Sequence, residues 1–119
     1  VTFVPSYDSS IITDITDGAK STDALYLAIA QSDAKEYEIY ASDYVYLTSQ
    51  VNSILLKEQA RGDKANNIIK IAENLKLLII KYDKYHKDKG KITAAEAIIF
   101  NQYLQAAWKP LLVAELALK

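Results

Sequence analysis

The single histidine of the chain, His86, is the residue best suited to metal binding or to acid–base chemistry. Asp83 precedes it by three residues, so a helix would place both side chains on one side. A di-metal centre of the ferritin type needs about four carboxylates and two histidines, arranged as Glu-x-x-His pairs. The chain has one histidine, and no glutamate stands three residues before it. We therefore expect no metal site and interpret His86 as a structural or surface residue.

The other reactive residue types exclude further classes of site. The sequence contains no cysteine and no methionine, which excludes disulfides, thiolate metal sites, and haem held by either residue. Its glycines, Gly18, Gly62 and Gly90, stand far apart, so no glycine-rich loop for phosphates can be written. No serine lies in the Gly-x-Ser-x-Gly setting of an activated nucleophile. The sequence therefore predicts no cofactor.

Carboxylates leave one route to catalysis open. Asp43, Glu58 and Glu115 are set among apolar residues, and two such acids close together could act as general acid and base. Their separation in space does not follow from the sequence. Because an acid at the edge of a helix is usually solvated, a non-catalytic role is favoured.

Tyrosines are the strongest candidates for binding a partner, since aromatic residues are enriched in protein interfaces. Four of the nine tyrosines fall within residues 36 to 47. Three recur at helical spacing and are expected in the core: Tyr37, Tyr40 and Tyr44. Three others lie off the main apolar stripes or at a helix end, and are the candidates for contact with an unknown protein partner: Tyr46, Tyr82 and Tyr85.

An aromatic pocket is the alternative. Bundles of helices can hold small molecules between their helices. A carrier or enzyme of this kind would use a pocket between the second and fourth predicted helices, lined by Tyr40, Tyr44, Phe100 and Trp108. The same four rings would also make an ordinary core, so the partner-binding hypothesis ranks first.

Helices must position these residues. Strong turn signals occur only at FVPSYD, RGDK and KDKGKIT, and apolar residues between them recur every three or four positions. This pattern predicts helices over about residues 9 to 31, 34 to 60 and 64 to 86, and a fourth after Thr93. Short connections favour antiparallel neighbours, so we predict an all-α, up-down-up-down four-helix bundle forming a single domain over residues 1 to 119.

Local signals refine the helix boundaries. Ser32 or Asp33 is the expected N-cap of the second helix, and Asp63 that of the third. Thr93 and Glu96 form the pattern of a capping box before the fourth helix. Pro110 lies within the fourth apolar pattern, which predicts a kink near residue 107 with the helix continuing beyond it.

Charge is distributed unevenly. Residues 1 to 60 contain nine acidic and three basic residues, a net charge of −6, whereas residues 61 to 119 contain six acidic and eleven basic residues, a net charge of +5. The total is −1, so we expect the halves to attract each other and predict no nucleic-acid partner. No apolar run is long enough to predict a transmembrane segment. The oligomeric state stays open.

Three segments carry a resemblance to known proteins. The start FVPSYDSSI, the ARGDKANNI segment with Arg61 and Asn66 or Asn67, and the ending FNQYLQAAWKPLLVAELALK resemble small exported bacterial all-helical proteins, often lipoproteins. The resemblance implies a bundle without an assigned activity, located outside the cytoplasm in the cell envelope. The chain has no cysteine to carry a lipid, so an anchor would have been removed or never present. The absence of any methionine leads us to expect a processed chain.

These observations together predict a non-catalytic binding or scaffolding bundle of the bacterial cell envelope.

Overall fold

A computed structural model describes residues 4–119 and contains four long α-helices. They are α1 (Ser9–Gln31), α2 (Tyr37–Ala60), α3 (Asn66–Lys89) and α4 (Ala94–Leu116), with a short 3₁₀ helix at Gly62–Ala65. The described residues form no strand, and the tyrosine-rich segment at the start of α2 is helical. The predicted all-α class is confirmed.

The four helices form an elongated bundle with overall dimensions of 55 × 21 × 18 Å. Helix α1 packs against α2 and α4, and α3 packs against the same two helices, so that α1 lies diagonal to α3 and α2 diagonal to α4. Contacts between neighbours join the start of one helix to the end of its partner, as in Lys57 with Asp14, Tyr37 with Asp83, and Tyr85 with Glu96. Neighbouring helices are therefore antiparallel, and the predicted up-down-up-down order is confirmed.

Two predicted helix starts are wrong by a few residues. Helix α2 begins at Tyr37 rather than residue 34, because the preceding segment is extended and pairs with the α3–α4 connection. The Tyr37 backbone N–H donates to the Gly90 carbonyl at 2.8 Å, so Ser32 and Asp33 do not cap α2. Helix α3 begins at Asn66 after the 3₁₀ helix, and it continues to Lys89. A side-chain cap from Asp63 is not formed.

Other boundaries follow the sequence signals. The Asp8 carboxylate accepts a hydrogen bond from the Ser10 backbone N–H at 2.8 Å, and the hydrogen bonding of Ser10 lowers the Asp8 pKa. Thr93 and Glu96 form both bonds of the predicted capping box. Helix α4 runs through Pro110 to Leu116, as expected. The bend near residue 107 stays a prediction.

Gly18 has a role that helix propensity does not suggest. The indole of Trp108 packs against it so closely that an added Cβ would lie 2.2 Å from Trp108 Cη2. The Thr22 hydroxyl lies beside this contact, donating to the Gly18 carbonyl at 2.8 Å and accepting from Trp108 Nε1 at 2.9 Å. Glycine within a helix costs about 1 kcal/mol relative to alanine. At position 18 its missing side chain allows α1 and α4 to approach each other.

Candidate functional site

An aromatic groove between α3 and α4 is the surface best suited to binding. Its volume is about 520 Å³, within the range of roughly 300–1,000 Å³ that is usual for binding pockets. We call it the α3–α4 groove, and its lining residues are Lys81, Tyr82, Lys84, Tyr85, Asp88, Glu96, Phe100 and Tyr103. The capping box that starts α4 positions Glu96, and Phe100 follows it one helical turn later.

Stacked rings form the floor of the groove. The Tyr82 and Phe100 rings are nearly parallel, with centroids 4.2 Å apart, and Tyr85 meets Phe100 edge-on at 5.5 Å. Tyr82 is only 7% exposed, so it does not project from the surface as a residue off the main stripes would. Tyr85 and Tyr103 are 37% and 58% exposed and form the accessible walls. The groove thus offers aromatic surface both below and beside a bound group.

The rim of the groove is polar. The Tyr85 hydroxyl donates to the Glu96 carboxylate; this bond is the main cause of the raised pKa of Tyr85 and of the lowered pKa of Glu96. Lys84 pairs with Asp88 along α3. Within residues 4–119, Lys81 has no carboxylate within ion-pair distance. The rim therefore presents one ammonium group that a negatively charged ligand could neutralise.

Tyr46 lies on the opposite side of the bundle. It is 50% exposed and borders a second groove, of about 400 Å³, between α1 and α2. We call this the α1–α2 groove, and its lining residues are Ser21, Ala24, Leu25, Ala28, Asp43 and Tyr46. Because α1 is diagonal to α3 and α2 to α4, the two grooves face away from each other. The three tyrosines predicted to contact a partner therefore belong to two separate surfaces.

The aromatic residues of the alternative pocket are spread through the bundle. Helices α2 and α4 lie across its diagonal, so there is no shared surface groove between them. Phe100 lines the α3–α4 groove, whereas Trp108 lines a cavity between α1 and α4. Tyr40 and Tyr44 are buried and line neither space. This arrangement does not favour a ligand pocket formed by the four rings together.

His86 is fully buried near one end of the bundle. Its Nε2 lies 2.8 Å from the Lys35 carbonyl and its Nδ1 lies 2.9 Å from the Tyr44 hydroxyl. Since a carbonyl can only accept, Nε2 carries the proton, and in the neutral ring Nδ1 accepts from Tyr44. Burial raises the pKa of Tyr44, which keeps its hydroxyl as a donor. We call these two side chains and the Lys35 carbonyl the His86 cluster.

Asp83, the other possible ligand, is engaged elsewhere. It accepts a hydrogen bond of 2.6 Å from the Tyr37 hydroxyl, whose pKa is raised to about 12, chiefly by burial and further by this bond. Residues 4–119 contain no group of three or more histidine, aspartate or glutamate side chains placed to hold a metal ion.

Two buried glutamates meet a partly buried arginine near the other end. Arg61 Nη1 lies 2.7 Å from Glu58 Oε1 and 2.8 Å from Glu115 Oε2. Its Nη2 donates to the Ser6 carbonyl at 2.8 Å, which attaches the segment before α1. Both glutamates are fully buried, and Glu58 Oε2 has no hydrogen-bond partner. We call these three side chains the Arg61 cluster.

The Arg61 cluster holds one carboxylate more than its guanidinium can neutralise. Burial, and next the neighbouring Glu115 carboxyl, raise the pKa of Glu58 to about 8. The protonated form of Glu58 is therefore favoured at neutral pH, and Arg61 lies against both carboxyl groups. A cavity next to Arg61 is lined by Pro5, Ser6, Tyr7, Asp8, Ser9, Arg61 and Lys64, and neither glutamate reaches it. The pair thus shares a proton inside the fold rather than at a surface open to a substrate.

The sequence indicated only part of this cluster. Glu58 and Glu115 stood out as acids among apolar residues, but they are 57 positions apart, and they approach each other only because the assembled bundle places Arg61 between the ends of α2 and α4. The signal that pointed to the α3–α4 groove was clearer, because Tyr82 and Tyr85 share one helix. Tyr103 was missed, although its position three residues after Phe100 puts the two rings on neighbouring parts of the surface of α4.

No helix within residues 4–119 combines the length and the apolar character that crossing a membrane requires. Comparison with known proteins assigns no family, because no protein-family model, no curated protein and no solved structure matches this chain.

Proposed function

We propose that this protein is a non-catalytic binding bundle whose α3–α4 groove receives an aromatic side chain from an acidic segment of a partner protein. The observation that carries the proposal is the accessible groove of about 520 Å³ with a floor of stacked Tyr82 and Phe100 rings. Tyr85 and Tyr103 add walls on two neighbouring helices. An aromatic side chain placed between them would bury apolar area and make edge and face contacts with the rings.

The positive charges at the rim of the groove favour an acidic partner. Lys81 lies at the rim without a carboxylate partner among residues 4–119, and the Lys89 ammonium lies 5.7 Å from the centre of the Tyr85 ring. An incoming acidic residue would pair with Lys81 while its neighbour enters the groove. Electrostatic complementarity of this kind raises the rate of association and selects against basic partners.

A binding role agrees with the chemistry that the residues offer. The buried glutamates share a proton away from the surface cavities, and the histidine has a partner on both ring nitrogens. The resemblance to exported bacterial helical proteins supports a scaffolding role in the cell envelope.

Binding to the groove can be tested with two small phenols, one neutral and one that carries a carboxylate. These are p-cresol, which reproduces the tyrosine ring, and 4-hydroxyphenylacetate, which adds a carboxylate. Titration of ¹⁵N-labelled protein should move the amide resonances of residues 81 to 85 and 96 to 103, with the anionic probe binding more tightly. Tyr85→Ala and Tyr103→Ala should each weaken binding, and Lys81→Ala should remove the preference for the anion.

Tyr46→Ala is the matched control, because it removes a half-exposed tyrosine from the opposite side of the bundle. It should not weaken the binding of either probe. The proposal is wrong if neither probe shifts the groove resonances, or if the Tyr85 and Tyr103 variants bind both probes as the wild type does.

A further inference from the structure

The charge difference between the two halves of the chain is not neutralised inside the bundle. Four ion pairs occur among residues 4–119, and Lys57–Asp14, Arg61–Glu115 and Lys84–Asp88 each join residues of the same half. Arg61–Glu58 connects the two halves, but it is buried and local in sequence. The surface of α1 and α2 therefore remains acidic, and that of α3 and α4 remains basic. These surfaces face in opposite directions.

The acidic side also carries an exposed apolar patch. Ile39, Asp43 and Tyr46 are spaced by four and three residues, which places them on one face of α2, and all three are exposed. We call this face the Tyr46 patch. It combines an accessible aromatic ring with a carboxylate one turn away, the two features that the α3–α4 groove is suited to receive.

The Tyr46 patch and the α3–α4 groove lie at the same height along the bundle. Helices α2 and α4 begin at the same end, and Tyr46 and Tyr103 each follow the first residue of their helix by nine positions. With a rise of about 1.5 Å per residue, both lie roughly 14 Å from that end. Two copies placed side by side with parallel axes would bring the patch of one against the groove of the other.

We propose that the occupant of the α3–α4 groove is the Tyr46 patch of a second copy of this chain. Tyr46 enters between Tyr85 and Tyr103, and Asp43 faces Lys81. This inference rests on the proposed function, since it names the partner for the same groove. Opposite net charges on the two sides favour this contact over pairing of two like surfaces.

The geometry of the contact predicts the form of the assembly. Because the two surfaces differ and lie on opposite sides, each contact leaves one unused patch and one unused groove. Head-to-tail contacts of this kind generate rows or filaments unless the rotation between copies closes a ring. Association should therefore continue beyond a dimer as concentration rises, and it should weaken with salt because its charge pairs lie at the rim.

Sedimentation velocity from micromolar to millimolar concentration tests the inference. The wild type should form a series of larger species at low ionic strength. Tyr46→Ala, which removes the patch, and Tyr85→Ala, which weakens the groove, should each reduce the association constant by more than about tenfold. Leu56→Ala is the control, since it removes an exposed apolar side chain of α2 that lines neither groove. Circular dichroism should show unchanged helix content in each variant.

Mixing the two variants is the decisive measurement. The Tyr46→Ala chain keeps its groove, and the Tyr85→Ala chain keeps its patch, so an equimolar mixture should form a dimer that contains one of each and grows no further. Charge reversal supplies an independent check. Asp43→Lys and Lys81→Glu should each weaken association, and the double variant should recover it, because the pair is restored with opposite polarity.

Two outcomes overturn the inference. A wild type that is monomeric at every concentration excludes a second copy as occupant, whereas the probe titration decides separately whether the groove binds an aromatic group at all. A dimer that is lost with Tyr85→Ala but unaffected by Tyr46→Ala would mean that two grooves pair with each other.

Discussion

The two ends of the bundle bury polar side chains in different ways. In the His86 cluster the groups are an imidazole, a hydroxyl and a carbonyl, and both ring nitrogens have a partner. In the Arg61 cluster one guanidinium serves two carboxylates, and Glu58 Oε2 has no hydrogen-bond partner. The His86 end therefore buries groups that are paired by hydrogen bonds, whereas the Arg61 end buries a cluster whose net charge depends on the protonation of Glu58.

This difference shows that polar side chains buried to a similar extent contribute differently to the free energy of folding. A satisfied neutral hydrogen bond contributes about 1 kcal/mol, and its loss matters mainly through the partner that is left unsatisfied. A buried charge requires compensation from every neighbour, so removal of one member exposes the cost of the others. We therefore expect the Arg61 end to be more sensitive both to mutation and to pH.

Removal of the guanidinium should produce the largest effect. Arg61→Ala leaves Glu58 and Glu115 buried without a cation and releases the Ser6 carbonyl. We expect the free energy of unfolding to fall by about 3–5 kcal/mol, measured by urea denaturation. Lys84→Ala, which removes an exposed ion pair, should change it by less than about 1 kcal/mol. Equal effects of the two variants would remove the distinction between the clusters.

The stability of the wild type should depend on pH through Glu58. Its pKa is about 8 in the folded protein against an ordinary value of 4.5, so the folded state binds the proton more tightly. The stabilisation that Glu58 gives the folded state is fully present below its ordinary pKa of 4.5, and it is lost as pH rises toward its folded-state pKa of about 8. Thermal unfolding between these pH values should show a larger loss for the wild type than for Glu58→Gln, which carries no titrating proton. Parallel curves for the two proteins would contradict this explanation.

A substitution in the His86 cluster should have an intermediate effect on stability. Tyr44→Phe keeps the ring but removes the hydroxyl, which leaves His86 Nδ1 buried without its partner. The free energy of unfolding should fall by about 1–3 kcal/mol in urea denaturation. The loss should be smaller than that of Arg61→Ala, since one hydrogen bond is removed rather than the only cation beside two buried carboxyl groups. A larger loss would reverse the ranking of the two ends.

Tyr26→Phe should have the smallest effect. The Tyr26 hydroxyl is buried without a hydrogen bond of good geometry; its polar neighbour is the Tyr44 hydroxyl, and burial, and next this neighbour, raise the pKa of Tyr26. Its removal deletes a polar group that makes no bond, so the variant should match the wild type or exceed it by about 1 kcal/mol in urea denaturation. Comparison with Tyr44→Phe is controlled for shape, because each change removes one hydroxyl from a buried tyrosine. A loss equal to that of Tyr44→Phe would reveal a partner for the Tyr26 hydroxyl.

The helices could be predicted because their signals are local. Apolar spacing identified each helix, and the Thr93–Glu96 capping box placed the start of α4. The start of α2 could not be predicted in this way, because the Tyr37 N–H bonds to Gly90, a residue distant in the sequence. The need for glycine at position 18 could not be predicted either, because only the indole of Trp108 from α4 shows why a side chain is excluded there.

The candidate site was predicted in part. Tyr85 and Tyr46 were expected at the surface, where the structure places them, whereas Tyr82 forms the floor of the groove because it stacks on Phe100 from α4. The position of Tyr46 on the opposite side follows from the order in which the helices pack. That order becomes visible only when all four helices are assembled.

Residue type and spacing along single segments were enough to predict the helical class, most helix boundaries and the charge difference between the two halves, and they exclude cysteine and methionine chemistry. The side chains that meet across helices could be identified only in the folded bundle: the ring of Phe100 on Tyr82, the indole of Trp108 on Gly18, and the two glutamates around Arg61. These contacts arise between segments far apart in the chain, where position in space depends on the packing of the whole bundle.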